Sequence, residues 1–225
     1  MKVCTDACIL GAYAAQIAKE DSTIARCLDI GAGTGLLSLM LAQQAPAGID
    51  AIDIDVNAYE EGTSNFSLSP WQERLHYMHG DVRSYNANSP FDLIISNPPF
   101  YENELQSPTH TKNIAHHDEG LTLMELAKAV KRNLSTTGKF IVLLPVQRVE
   151  AFQDIIMKRQ FHLQSKLVIR HSMRHAYTRA ILVFANSVTI PSVQELIIKD
   201  EFNNYTSNFT DLLQAYYLCF DSAAK

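Results

Sequence analysis

Nowhere in the 225 residues is there the run of about 18 apolar residues that a membrane-spanning helix needs. The first ten residues, Met1 to Leu10, include Asp6 and have no long apolar core behind a basic start, so they do not read as a secretory signal. The four cysteines, Cys4, Cys8, Cys27 and Cys219, form no C-x-x-C pair, which argues against a zinc ribbon or a redox motif. Cys4 and Cys8 can share a helix face, but two ligands do not make a metal site. No metal is expected, and the thiols read as buried and free in a reducing cytoplasm. No internal repeat, low-complexity tract or linker divides the chain, which fits one domain over residues 1–225. Hydrophobic content of 47% and a mean hydropathy of −0.07 permit a sizeable core and exclude wholesale disorder. A net charge of −5 and a pI near 5.9 argue, at face value, against a polyphosphate partner.

Strand and helix signals alternate along the chain. Asp6 can cap a helix through Ala15. Ala25–Ile30 reads as a strand, Gly31–Gly35 as a turn, and Leu36–Ala45 as a helix stopped by Pro46. Gly48–Ile54 is a second strand, and Asp55 caps a helix to about Phe66. Leu75–His79 is a weaker third strand, and Phe91–Ser96 is a strong fourth that Pro98 and Pro99 end. Leu121–Leu134 has helical periodicity, Gly138 starts a strand to Leu144, and Val146–Arg159 is a further helix. Phe161–Ile169 and Ala180–Phe184 form a hairpin closed by Arg170–Arg179. A weak strand at Leu196–Ile198 and an aromatic helix from Phe209 to Phe220 follow. This alternation predicts an α/β domain with a mostly parallel sheet.

Asp29-Ile30-Gly31-Ala32-Gly33-Thr34-Gly35 follows a strand and opens a helix, the context in which a glycine turn binds a cofactor. The spacing departs from the dinucleotide fingerprint, because the third glycine comes one residue early. Asp29 would oppose a pyrophosphate and suits a cationic amino group. Asp53, 18 residues after Gly35, ends the second strand, where a carboxylate can accept both ribose hydroxyls. Asp81, in Gly80-Asp81-Val82, ends the third, where it can accept from an adenine amino group. An ammonium, a ribose and an adenine without phosphate describe S-adenosylmethionine. The order of these motifs resembles the class I S-adenosylmethionine-dependent methyltransferases. That resemblance implies a Rossmann-like, mostly parallel seven-stranded sheet with helices on both faces and a C-terminal antiparallel hairpin.

Asn97-Pro98-Pro99-Phe100 follows the fourth strand. Two prolines forbid further strand pairing and make a rigid turn. The Asn97 side-chain oxygen and the Pro98 carbonyl can accept the two hydrogens of a planar amino group. That frees the nitrogen lone pair, and the same oxygens face the positive charge that develops there. Phe100 can stack on the flat acceptor. This turn resembles the signature of amino-group methyltransferases acting on adenine, cytosine, guanine or glutamine nitrogens.

The start, Met1-Lys2-Val3-Cys4-Thr5-Asp6 followed by Leu10-Gly11-Ala12, resembles the M-K-V-x-T-D…L-G-A opening of the tRNA1(Val) adenine-N6-methyltransferase family. Asn97–Tyr101 and the tail from Tyr205 to Phe220 match its pattern, so the resemblance spans nearly the whole chain. It implies a valine tRNA as partner, methylation of the adenine 3′ of the anticodon, and places for Lys2, Thr5 and Asp6 near the cofactor and acceptor. Cys4 departs from a usual glycine. Family members usually carry a segment before this motif, so a further N-terminal piece is expected. Methylation of a glutamine amide or of a ribosomal RNA guanine N2 or adenine N6, and a non-catalytic binding module, stay open beside this reading.

The total charge conceals a division. Residues 1–100 carry −7, and residues 128–179 carry eleven Lys or Arg against Glu150 and Asp154, a net +9. Arg170, Arg174, His175, Tyr177 and Arg179 cluster in the predicted hairpin loop, where phosphate contacts can hold an anticodon loop. His110, His116 and His117 read as exposed loop residues after the Asn-Pro-Pro-Phe turn.

Overall fold

The computed structural model describes residues 4–99, 120–218 and 220. Lys2, Phe100, Tyr101, the three histidines His110, His116 and His117, and Cys219 lie outside them. The elements run α1 (Thr5–Glu20), β1 (Arg26–Ile30), α2 (Leu36–Gln44), β2 (Gly48–Asp53), α3 (Val56–Ser67), β3 (Leu75–His79), β4 (Phe91–Ser96), α4 (Leu123–Asn133) and β5 (Leu134–Pro145). They continue with α5 (Val149–Met157), β6 (His162–Arg170), β7 (Arg179–Ala185), β8 (Ser192–Ile197) and α6 (Ser207–Leu213).

One sheet holds all eight strands in the order β3-β2-β1-β4-β5-β7-β6-β8. β7 lies antiparallel between β5 and β6, as the hairpin pattern required, and the other pairings are parallel. The expected count of seven strands is corrected to eight. β8 adds in parallel at the free edge of β6, pairing Ser165–Arg170 with Ser192–Ile197. Its first four residues are exposed and only Leu196 is buried, so its hydrophobic alternation is weak in sequence.

Alternate strand residues feed two core layers, as the two-residue pleat dictates. Ile49, Leu93, Ile95, Ile141 and Leu143 pack against α1, α2 and α6 on one face. Leu28, Ile30, Ile94, Phe140 and Val142 pack against α4 and α5 on the other. Phe140, Phe152 and Phe184, with ring centres 5.8 to 6.3 Å apart, hold α5 to the sheet. No helix among the described residues is long and apolar enough to cross a membrane.

Several boundaries differ from the sequence reading, among them the end of α1 at Glu20, the start of α5 at Val149 and the start of β8 at Ser192. α1 starts at Thr5, with Cys4 at the cap and no side-chain cap bond. Asp6 therefore sits in the first turn, where a carboxylate suits the helix dipole, and its oxygen pairs with Arg179 at 3.1 Å. β5 begins at Leu134, four residues before Gly138, because it pairs across to Phe91. α6 ends at Leu213, turn residues follow, and Leu218 and Phe220 are in 3-10 conformation, with the Tyr217 and Phe220 rings stacked.

α3 approaches β3 closely at Gly62, where an added Cβ would lie 2.2 Å from the Tyr77 ring. Gly62→Ala should cost about 1–3 kcal/mol through overpacking. That predicts a thermal melting point lower by roughly 2–12 °C for a chain of this size. An unchanged melting curve would refute this close packing.

Candidate active site

β1 is flanked by β2 on one side and β4 on the other, so the winding direction reverses at the β1–β4 boundary. Ligands of open α/β sheets bind outside the carboxyl ends of the strands at such a reversal. A cleft of about 530 Å³ opens there. Gly31, Asp53, Asp81, Val82, Asn97, Pro98 and Pro99 all line it, brought together from the ends of four strands.

The glycine turn is shaped by β2. The N–H groups of Gly31 and Ala32 both donate to the Ile52 carbonyl, at 2.9 and 3.3 Å. The Gly33 N–H donates to Asp53 Oδ2 at 2.9 Å. Gly31, Gly33 and Gly35 have φ of +70°, +59° and +80°, a region that side chains with a Cβ avoid. A Cβ at Gly35 would also lie 2.5 Å from the Phe66 ring, whereas nothing lies within 4 Å of a Cβ position at Gly31. Gly35 thus serves helix packing, and Gly31 gives onto open space. Tyr77 donates to the Gly33 carbonyl at 2.7 Å and Asn65 to the Thr34 carbonyl at 2.9 Å. Gly33, Thr34 and Gly35 lie behind the lining rather than in it. The supporting roles of Tyr77 and Asn65 had no motif to reveal them.

The carboxylates differ in their surroundings. Asp29 is 0% exposed beneath the turn, and Ser38 donates to its Oδ2 at 2.8 Å. Its Oδ1 has no partner among the described residues. Burial, aided by the like charge of Asp53, pushes the Asp29 carboxyl up to about 7 despite the Ser38 bond. Asp53 accepts from Gly33 with one oxygen and from the Asp55 N–H, at 2.9 Å, with the other. Asp55 caps α3 by accepting from the Asn57 N–H at 2.8 Å, which holds its carboxyl below the usual range. Asp81 accepts from Arg83 Nε with both oxygens, at 3.0 and 2.8 Å. Val82, which follows it, is buried in the cleft wall.

Asn97 is half-buried, Pro98 buried and Pro99 exposed at the end of β4. Beneath them the Ser96 hydroxyl donates to the Ile30 carbonyl at 2.9 Å, locking the β4 end to β1. The Asn97 amide has no hydrogen-bond partner among the described residues. Cys4 and Asp6 from the start of α1 join the opposite wall, with Arg179 from β7. Thr5, exposed between them, does not line the cleft.

Part of the basic block is spent inside the fold. Arg132 donates to the carbonyls of Val82, Arg83 and Tyr85 at 2.8, 3.0 and 2.7 Å, so it staples the loop carrying Asp81 to α4. Lys139 pairs with Asp21 at 2.7 Å and holds that carboxyl down to about 2. Arg170 pairs with Glu195 at 2.5 Å beneath the Tyr177 ring, and Tyr177 donates to the same carboxylate at 2.9 Å. Of the five residues expected in an RNA-facing loop, Arg174 and His175 are exposed and have no ion pair among the described residues. Among the described residues no group of three or more metal-ligating side chains comes together.

A family model described as methyltransferase small domain matches residues 13–166. A tRNA1(Val) (adenine(37)-N6)-methyltransferase of Dyadobacter fermentans is 39% identical, over 98% of this chain and 92% of its own length. A relative of the same name from Pseudoalteromonas translucida is 34% identical, over 97% and 92%. A predicted O-methyltransferase of known structure from Agrobacterium tumefaciens superposes with a TM-score of 0.72 at 16% identity, over 94% of this chain and 96% of its own. That likeness is one of fold.

The Asp29 carboxyl gives a pH signature. Its pKa is raised from 3.8, so between about pH 4 and 7 the folded state holds a proton that the unfolded state has lost. Stability from this group therefore falls as pH rises through that window. Asp29→Asn keeps an oxygen for Ser38 and removes the titration. The stability of the variant relative to the parent should climb from pH 4 to 7 and then level, as read by denaturant unfolding. A difference that stays flat with pH would contradict the buried, half-partnered carboxyl.

Proposed function

The chain belongs to the methyltransferase small domain family, and from that premise we propose that it is a tRNA1(Val) (adenine(37)-N6)-methyltransferase that uses S-adenosylmethionine. The observation that carries this is the Asn97-Pro98-Pro99 turn, which leaves β4 at the mouth of the cleft whose floor begins at Gly31. Two relatives more than 30% identical over nearly their full length bear that name.

The residues present fit the cofactor. Asp29 does not itself line the cleft, but its buried Oδ1, with no hydrogen-bond partner among the described residues, lies under a turn that is open at Gly31, which suits a cationic amino group. Asp53, whose two oxygens keep spare lone pairs, suits the ribose hydroxyls, and Asp81 with Val82 suits the adenine. The glycine turn, through Gly33, Thr34 and Gly35, holds the backbone clear. Lys2 and Thr5 are assigned to the neighbourhood of the same site. When bound, S-adenosylmethionine supplies an electrophilic methyl on a sulfonium.

The acceptor chemistry then follows from β4. Asn97 and the Pro98 carbonyl accept the two N6 hydrogens, turn the lone pair out of conjugation and face the charge that develops on nitrogen. Pro99 keeps the turn rigid, so these oxygens are aimed before the acceptor arrives. Phe100 is assigned the flat face of the adenine. No strong general base is required, because the methylated ammonium is itself acidic. The target base must leave its stack, which costs less in a loop than in a duplex.

Asn97→Ala should lower kcat about 10²–10³-fold, the usual cost of one preorganised hydrogen-bonding group, while S-adenosylmethionine binding is retained. Substrate is read by methylating total tRNA from a strain lacking this gene and analysing nucleosides. The expected product is N6-methyladenosine in a valine tRNA alone; methylglutamine on a protein instead would overturn the reading.

A further inference from the structure

A second cavity, of about 550 Å³, opens at the same edge of the sheet as the cleft. β6 ends and β7 begins there, because β7 runs antiparallel to β5 and Arg179 pairs with Pro145 at the β5 end. The β6–β7 loop supplies His171, Arg174 and His175 to one wall, and the segment between β8 and α6 supplies Lys199 and Asn203 to the other. Asp200 and Glu201 border it as well.

These walls are tied together by backbone bonds. The Ile198 N–H donates to the Arg170 carbonyl at 3.1 Å and the Lys199 N–H to the His171 carbonyl at 2.8 Å. Within the loop, the His175 N–H donates to the Ser172 carbonyl at 3.0 Å, and the Ser172 hydroxyl bonds His175 Nδ1 at 2.8 Å. The His171 and His175 rings meet edge to face, 5.2 Å apart.

The charges are sorted. Arg170 is committed to Glu195 and Arg179 to Asp6. Lys199 lies over the Tyr205 ring at 3.4 Å and donates to the Asn203 carbonyl at 3.0 Å. Asp200 Oδ1 accepts the N–H groups of Phe202 and Asn204 at 2.9 and 2.8 Å, so it closes its own turn. Arg174 stands exposed at the rim with no ion pair among the described residues.

We propose that this cavity is a second RNA subsite, which takes the phosphate and base of a nucleotide flanking the methylated adenine. The inference rests on the tRNA reading above and assigns it a place to grip the loop. Arg174 presents a fork of donors matched to a phosphate. Exposed imidazole faces stack bases, and the Asn203 amide can reach a base edge. From β4 to β6 there are three strand spacings of about 4.8 Å, or roughly 14 Å. A few nucleotides of splayed single strand span that distance. Asp200 and Glu201 border the cavity on the side of the β8–α6 segment, so the phosphate is assigned to Arg174 on the loop wall and the base to the imidazoles.

Steady-state methylation of valine tRNA by Arg174→Glu and His171→Ala tests it, with S-adenosylmethionine affinity as the control for folding. Arg174→Glu should raise KM for tRNA about tenfold, with a much smaller change in kcat. Its log–log salt dependence should flatten by about 0.7–1, the loss of one phosphate contact. Arg174→Lys should restore the salt slope and part of the affinity. If the parent methylates valine tRNA and Arg174→Glu leaves both KM and salt slope unchanged, the subsite is refuted while the enzymatic reading stands. If the parent neither binds nor methylates valine tRNA, the enzymatic reading fails and the subsite with it.

Discussion

The site depends on the grip of the β2 end upon the turn that leaves β1. Ile52 offers one carbonyl to two successive N–H groups, and Asp53 takes the Gly33 N–H on its carboxylate. Those bonds bend the chain into three left-handed glycines and start α2 over the sheet. A β1–α2 connection without them would run off as ordinary extended chain, and the cleft floor would be lost. One acidic residue thus acts twice, shaping the turn and facing the cleft.

The rest of the fold braces that arrangement from three sides. Tyr77 and Asn65 hold the turn's carbonyls from β3 and α3, with Gly62 giving Tyr77 its room. Arg132 and Asn133 at the end of α4 hold the segment after Asp81, Asn133 accepting from the Ala87 N–H at 2.8 Å. The Asp6–Arg179 pair ties the start of α1 to the hairpin side of the cleft. Each brace is a polar side chain spent on a backbone group or on an opposite charge. Such bonds contribute about 1 kcal/mol apiece yet are costly to lose in a partly buried setting.

Strands β1 to β7, their helices and the strand-end residues Gly31, Asp53, Asp81 and Asn97 of the cleft were legible because each carried a local signal, whereas Thr5, Asp29, Gly33, Thr34 and Gly35 do not line it. β4 is a run of apolar residues ended by two prolines, and the glycine turn stands between a strand and a helix. β8 was harder to see, since an edge strand needs only a partner's free backbone and little apolar alternation. The helix cap at Asp6 misled for a related reason. A helix start is decided by backbone bonds, and the aspartate was drawn to an arginine 173 positions away. The basic block was legible only as a sum. Eleven cations in a stretch of sequence suggest a charged face, yet Arg132, Lys139, Arg170 and Arg179 each find a partner inside the molecule.

By itself the sequence determined the alternation of strands and helices, the turn after β1, the carboxylates at three strand ends and the amino-acceptor turn after β4. These are short-range features, because spacing along one strand or around one turn specifies them. Only the tertiary structure decided which carboxylate is buried, which arginines are paired with distant carboxylates and which loop stands beside which cleft. Those outcomes depend on partners brought together by the sheet order from distant parts of the chain. A net charge that seemed to exclude RNA says nothing of where charges sit: Arg170 and Arg179 are paired with distant carboxylates, while Arg174 is exposed with no ion pair among the described residues.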